Sequence, residues 1–260
     1  MASREPPRRV RLPMVSQQWR SVGFVHWPCA PHAIGPLVPE PLVVDTYDGA
    51  AWMSMTPFST TCEVLGAVGV PGAPRFPETN VRTYVRGPDG RDGLLFLSLE
   101  VTNHANAFLG RLLGLPYRVA AMEIDDSDAN IYRYRGSRDA SPRATYDIAL
   151  RPTDVSACAP LDVFLTGRWS AYVRFGRALL RFDVEHEPWP LRRAELVHAD
   201  TAIATAVGAP DATRPMTAHF AHGVSARIAG PAVRFCRPAA ARSSDSPSKE
   251  MTKNRLGKGS

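Results

Sequence analysis

Lysine is missing from nearly all of this chain. Its three lysines, Lys249, Lys253 and Lys258, lie beyond residue 248. The preceding residues offer no side-chain amine for an imine with a carbonyl substrate. Cysteine is scarce too: Cys29, Cys62, Cys158 and Cys236 are far apart in sequence, which gives neither a metal knuckle nor a redox pair. Reduced thiols in the cytoplasm are the expected state. No apolar run approaches the roughly 18 residues of a membrane span. The basic first fifteen residues are not followed by an apolar core of signal-peptide length. A phosphate-cradling glycine loop, a zinc-binding HExxH helix and a GxSxG elbow are all absent.

Bulk charge is absent as well. The formal net charge is +6, but residues 1–15 carry +3 and residues 237–260 carry +4, leaving −1 for the rest. A near-neutral body lacks the charge excess of a nucleic-acid domain, so no specific nucleic acid and no membrane are expected as partners. The expected organisation is a flexible basic lead over 1–15, one domain over 16–236 and a disordered basic tail over 237–260.

The body reads as strands joined by turns, with a few short helices. Residues 19–27 are extended, and Pro31 opens a helical turn near 32–37. Asp48-Gly49 joins segments 42–47 and 50–58 as a hairpin. Residues 59–77, rich in Gly and Pro, read as a long loop. Asn103 caps a helix over 104–113 that Gly114 closes. Strands follow over 117–124, 129–136 and 143–151. A short helix near 160–165 precedes strands over 169–175, 178–185 and 191–198. Residues 193–207 are Ala-rich and partly helical, and 216–228 is a last strand. The fold class is mainly β (α+β), a curved or closed antiparallel β-barrel.

The most informative stretch is Glu78 to Arg86. With a period of two, Asn80, Arg82, Tyr84 and Arg86 share one face, and Val81, Thr83 and Val85 the other. Gly87-Pro88-Asp89-Gly90 is turn chemistry, so 94–101 should pair back as a hairpin. Pairing Arg86 with Leu94 sets Tyr84 opposite Phe96, Arg82 opposite Ser98 and Asn80 opposite Glu100. Such a face is either a solvated outer ladder or the wall of a ligand cavity.

Arg82 is the candidate anion grip, because guanidinium holds a carboxylate through parallel hydrogen bonds. Glu78 or Glu100 would balance it or move a proton, unless they serve a structural Arg–Glu ladder. Glu100 with His104 could form an acid–base pair or merely cap the helix. His186, in His-Glu-Pro-Trp-Pro, reads as a general base or as a histidine satisfied by backbone. Arg168, Ser170 and Tyr172 share a strand face and form either a second cavity wall or an outer face. His219 and His222, three apart on a strand, point to opposite faces, which argues against a metal. No metal and no cofactor are expected.

Several segments together resemble the uncharacterised YqjF-like family of the acetoacetate-decarboxylase-like superfamily. They are Gln18-Trp19-Arg20 through His26-Trp27-Pro28, Asp45 through Gly49 with Ala51-Trp52, Glu78 through Arg86, Phe96 through Leu99, Leu115-Pro116-Tyr117, Phe164-Leu165 with Arg168, and His186 with Pro188 through Leu191. The resemblance implies a cone-like β-barrel around a ligand cavity. The superfamily's decarboxylases use a lysine just after a Gly-x-Pro turn; here Gly114-Leu115-Pro116 is followed by Tyr117-Arg118. Tyr117 would then stand in the nucleophile's place, where it can donate a proton but cannot form an imine. The expected ligand is a small molecule bearing a carboxylate, oriented by Tyr117, Ser98 and Asn80. Lysine-independent lyase, hydratase or isomerase chemistry is compatible with these groups, and Schiff-base decarboxylation is not. A non-enzymatic sensor or protein-interaction module is the alternative, and homo-oligomerisation is left open.

Overall fold

The computed structural model describes residues 2–64, 75–128, 130–209 and 217–235. In chain order the elements are β1 (Pro13–Cys29), α1 (Pro31–Ile34) with a 3-10 turn (Gly35–Leu37), β2 (Val43–Val44), β3 (Ala51–Val64), β4 (Phe76–Arg86), β5 (Asp92–Val101), α2 (His104–Leu112), β6 (Tyr117–Val119), β7 (Ala121–Asp128), β8 (Ile131–Arg138), β9 (Ala144–Ser156), α3 (Pro160–Thr166), β10 (Ser170–Phe175), β11 (Ala178–Glu185), β12 (Arg192–Thr201), α4 (Ile203–Ala206), β13 (Thr217–Ala229) and β14 (Ala232–Phe235).

The strands form one sheet that bends into a ring. Its path runs β11-β10-β5-β4-β3-β1-β13, and β13 pairs back to β11 through Val184–Ile228 and Glu185–Arg227. Closure of this kind removes the sheet's edges within the ring. Beyond β13 the sheet continues as a wing, β12-β9-β8-β7. The pairs are antiparallel except β5 with β10 and β5 with β6, which are parallel.

The wing folds over the outer face of the barrel. Val25, Met53, Met55 and Val81 of the barrel pack there against Tyr134, Ile148 and Leu150 of the wing in a buried cluster. Gly23 permits the close approach: a Cβ at that position would lie 2.9 Å from Leu150 and 3.0 Å from the Tyr134 ring. Burial of such large apolar side chains is the main stabilising term of the fold.

Several expectations need correction. β2 pairs with β4, not β3, so Asp48-Gly49 closes only a single bridge, Tyr47–Ala50. Its backbone is the expected turn, with φ of 49° at Asp48 and 78° at Gly49. Residues 59–64 and 76–77 extend β3 and β4 rather than forming loop. The remainder of that stretch, 65–74, lies outside the described residues, as does the tail from 236. Residues 192–201 are strand, and the helix of that region is confined to Ile203–Ala206. The basic lead is tied to the domain. Trp169 Nε1 donates to Ser3 O at 2.9 Å, Val10 is buried with its N–H on Glu185, and β1 already begins at Pro13. α2 matches expectation, since Asn103 accepts from the N–H groups of Ala105 and Asn106 and Gly114 follows with φ of 79°.

Candidate functional site

The barrel is hollow on its inner face. A cavity of about 460 Å³ lies between β1, β3, β4, β5, β10, β11 and the α2 helix. β4 supplies Glu78, Asn80 and Arg82, β3 supplies Thr56 and Phe58, and β1 supplies Trp19, Val22 and Phe24. The period-two rule puts these side chains on the inner face of β3 and β4 and, from Val22 to Phe24, of β1; Trp19, three residues before Val22, joins them across the irregularity at Ser21, where φ is 48°.

The β4–β5 register differs from the expected one. Arg86 pairs with Asp92, Tyr84 with Leu94 and Arg82 with Phe96; the register then shifts, and Asn80 pairs with Leu99. The turn is tighter than a Leu94 partner would require, closing with Gly87 N donating to Arg91 O at 2.7 Å. The shift is a bulge at Leu97, one extra residue that flips every later side chain to the other face. Phe96 and Leu99 therefore line the cavity, while Ser98 and Glu100 join the wing side. There Glu100 forms a buried ion pair with Arg138, and Ser98 Oγ donates to Glu100 Oε1 at 2.6 Å. Ser98 and Glu100 are thus not brought to the cavity.

Arg82 is 7% exposed, and no carboxylate pairs with it among the described residues. Its Nη2 reaches the Leu165 carbonyl at 3.4 Å, and its Cζ lies 5.5 Å from the Phe24 ring centroid. Burial pulls its pKa below the ordinary value; Tyr84 opposes this, and the like charge of Arg168 adds to it. Arg168 also lines the cavity but is neutralised. Its Nη1 meets Asp45 Oδ2 at 2.7 Å and Asp92 Oδ2 at 3.3 Å, and its Nε donates to Phe164 O at 2.9 Å. Four buried polar atoms on cavity-lining residues have no hydrogen-bond partner among the described residues: Thr56 Oγ1, Asn80 Oδ1, Arg82 Nε and Arg168 Nη2. Buried polar groups are normally satisfied, so these four atoms leave hydrogen-bonding capacity unused along the cavity wall.

Glu78 and Tyr117 meet at another part of the same wall. Tyr117 opens β6, which pairs parallel with β5, and its Oη donates to Glu78 Oε1 at 3.4 Å. Gly110 of α2 lets the ring lie flat against the helix, because a Cβ there would sit 2.1 Å from Tyr117 Cδ2. Burial raises the Glu78 pKa to about 7, with the Tyr117 bond opposing. A carboxyl group balanced between its two forms near neutrality is suited to taking and giving a proton.

His186 lines the cavity among the rings of Trp19, Trp169 and Trp189, with centroids 5.7, 4.5 and 4.5 Å away. Its Nδ1 donates to the Glu187 carbonyl at 2.6 Å, which leaves Nε2 as an acceptor. Burial lowers its pKa to about 4, so the ring is neutral at physiological pH.

Tyr84 lies deeper than the cavity wall. Its Oη donates to Leu165 O at 2.8 Å and touches Ser54 Oγ, which in turn contacts His26 Nδ1. His26 Nε2 is 3.1 Å from His219 Nδ1, and His219 Nε2 is 2.9 Å from Asp162 Oδ1. Asp162 also accepts from the N–H of Ala159 at the start of α3. This polar layer floors the barrel beneath Arg82. Burial lowers the pKa of both His26 and His219. The sequence reading missed His26, Asp162, Ser54 and Thr56. The polar positions 54 and 56 on one face of the otherwise apolar stretch 51–58 of β3 were the available signal. Arg86, expected on the polar face, instead pairs with Asp45 at 2.8 Å near the surface. Ser170 and Arg168 reach the cavity, whereas Tyr172 packs with Val85 and Leu179.

Residues 16–225 match the family DUF2071, described as an uncharacterized conserved protein. An uncharacterized protein YqjF from Bacillus subtilis is 33% identical over 232 residues, covering 85% of this chain and 93% of the relative. Among solved structures, the enduracididine biosynthesis enzyme MppR complexed with pyruvate superposes with a TM-score of 0.61 at 16% identity, over 87% of this chain and 93% of that one. An acetoacetate decarboxylase-like enzyme from Sphingomonas wittichii superposes with a TM-score of 0.61 at 13% identity, over 85% and 93%. The described strands thus have the acetoacetate-decarboxylase-like fold. Among the described residues, no helix is long and apolar enough to cross a membrane.

Proposed function

We propose, from the premise that this chain belongs to the DUF2071 family and carries an acetoacetate-decarboxylase-like barrel, that it binds a carboxylate-bearing small molecule inside that barrel. One observation carries the reading: Arg82 is buried on the cavity wall with no carboxylate of its own among the described residues. A buried charge without a partner is costly, and an anionic guest would relieve it. Asn80, Thr56 and the unpartnered Nη2 of Arg168 would orient the same head group. The fold is shared with a protein that binds pyruvate, which supports a small organic acid as guest.

The chemistry follows the groups at hand. Lysine is absent from the barrel, so no imine forms there. Glu78 moves a proton to or from the bound acid, and Tyr117, which gives its one O–H to Glu78, holds that carboxyl in place. Lyase, hydratase or isomerase reactions of a carboxylate need only such a pair with an anion anchor. His186, neutral and accepting at Nε2, would fix a hydroxyl of the guest.

The test is a thermal-shift panel of small organic acids on the wild type and on Arg82→Met. At about 100-fold excess over Kd, a true ligand stabilises the wild type by about 2.7 kcal/mol, a Tm rise of about 5–10 °C. Arg82→Met should lose that rise while keeping its own melting transition. The reading fails when no carboxylate stabilises the wild type more than the variant.

A further inference from the structure

We infer that the guest is an amphipathic monocarboxylate, its acid head at Arg82 and its hydrocarbon tail running along the cavity toward α2. The inference rests on the carboxylate reading above and names the class of acid.

Size comes first. At about 30 Å³ per water, a cavity of about 460 Å³ has room for about fifteen waters. A three-carbon keto acid, with six non-hydrogen atoms, fills less than half of it. The wall is the second argument. Apart from the polar groups already described, the lining is dominated by residues such as Phe24, Phe58, Phe96, Leu99, Leu113 and Phe182. Apolar surface of that extent favours a hydrocarbon guest over a compact polar one.

Depth gives the orientation. Thr56, Asn80, Arg82, Arg168 and His186 are all under 9% exposed, whereas Leu109 and Leu112 of α2 line the same cavity at 54% and 58% exposure. The α2 end is therefore the open rim and it is apolar, while the closed end holds these polar groups together with Phe24 and Phe58, which are as deeply buried. Charge sets the number of acid groups. Of the two arginines on the wall, Arg168 is neutralised by Asp45 and Asp92, leaving Arg82 as the one cation on the described wall without a carboxylate. A second acid group would meet no such partner. Spacing agrees as well. Glu78 and Arg82 are four residues apart on β4, so their Cα atoms are separated by about 13 Å. A guest held at Arg82 that also reaches the Glu78–Tyr117 pair must be an extended molecule.

Calorimetric titration of the full chain with butyrate, hexanoate, octanoate, pyruvate and 1-octanol tests this, alongside Arg82→Met and Leu109→Asp. Leu109 is exposed, so its replacement leaves the core intact. The expected result is a Kd that falls about fourfold per added methylene, with 1-octanol far weaker than octanoate. Leu109→Asp should weaken octanoate at least tenfold and leave butyrate unchanged. Tight pyruvate binding through Arg82 with a flat chain-length series overturns the tail and leaves the carboxylate reading standing. A length series that persists in Arg82→Met, with 1-octanol matching octanoate, overturns the acid head and with it both readings. No Arg82-dependent binding of any acid likewise overturns both.

Discussion

The inner face of β4 and the outer face of the β4–β5 pair both bury polar groups, and treat them differently. Outward, toward the wing, Thr79 Oγ1 meets Tyr146 Oη at 2.7 Å, and across the strand pair Glu100 is locked to Arg138. Inward, Glu78, Asn80 and Arg82 are as deeply buried, yet Arg82 has no carboxylate and Asn80 Oδ1 no donor among the described residues. Burial alone thus does not separate the two sets. Counter-charge and the number of unsatisfied atoms do: Thr56 Oγ1, Asn80 Oδ1, Arg82 Nε and Arg168 Nη2 lack a partner among the described residues around the cavity, whereas in the paired Glu100 and Arg138 only Glu100 Oε2 does.

The comparison breaks most sharply at the outer ion pair. Glu100→Gln leaves the Arg138 guanidinium buried without its counter-charge, and should destabilise the fold by about 3 kcal/mol or more. Urea unfolding measures it; a loss under about 1 kcal/mol would mean that the outer face is no better completed than the inner one.

Glu78→Gln should act in the opposite direction. The carboxyl is raised from 4.5 to about 7, so the unfolded chain gives up its proton before the folded one. Stability from this group is full below the unfolded value and is lost as pH rises toward 7, by about 3 kcal/mol in all. His186, lowered to about 4 by burial, has the reverse effect, since the unfolded chain takes its proton first as pH falls below 6.5. His26 and His219 shift in the same direction as His186. In the wild type Glu78 partly offsets the histidines between about pH 4.5 and 6.5. The glutamine variant should therefore be more stable than the wild type at pH 8 and show a steeper acid loss. Denaturant midpoints across pH 4–8 check both; parallel curves for the two proteins would remove Glu78 as a neutral-pH proton carrier.

How far the sequence reached follows the same division. The inner row Glu78, Asn80 and Arg82 was legible because a strand's period of two is written in consecutive residues. The capped α2 helix and the Gly114 turn were legible for the same local reason, whereas Tyr117 was singled out only through the resemblance of Gly114-Leu115-Pro116 to the decarboxylases' Gly-x-Pro turn. The bulge at Leu97 was not, since one inserted residue leaves no compositional trace and yet sends Ser98 and Glu100 to the other face. The floor of His26, His219 and Asp162 was not legible either: its links join residues 193 and 57 positions apart. Nor was the pairing of β2 with β4, where the local hairpin signal of Asp48-Gly49 was overruled by tertiary pairing.

The smallest expected effect is also the most discriminating. Arg82→Met removes a buried cation with no carboxylate among the described residues, whose contacts are a 3.4 Å bond to Leu165 O, a ring contact at 5.5 Å and the neighbouring Tyr84 hydroxyl. Relief of desolvation offsets those losses, so stability should change by no more than about 1 kcal/mol in either direction. Arg138→Met, by contrast, strands Glu100 and should cost about 3 kcal/mol. A secondary signature separates charge from packing. Arg82 contributes to lowering the pKa of His26 and His186, after burial in each case. Without it both rise toward their ordinary value, and the acid loss of stability becomes shallower rather than steeper. Equal destabilisation by Arg82→Met and Arg138→Met would show that the inner arginine is held by the fold as firmly as the outer one, and that it does not await an anion.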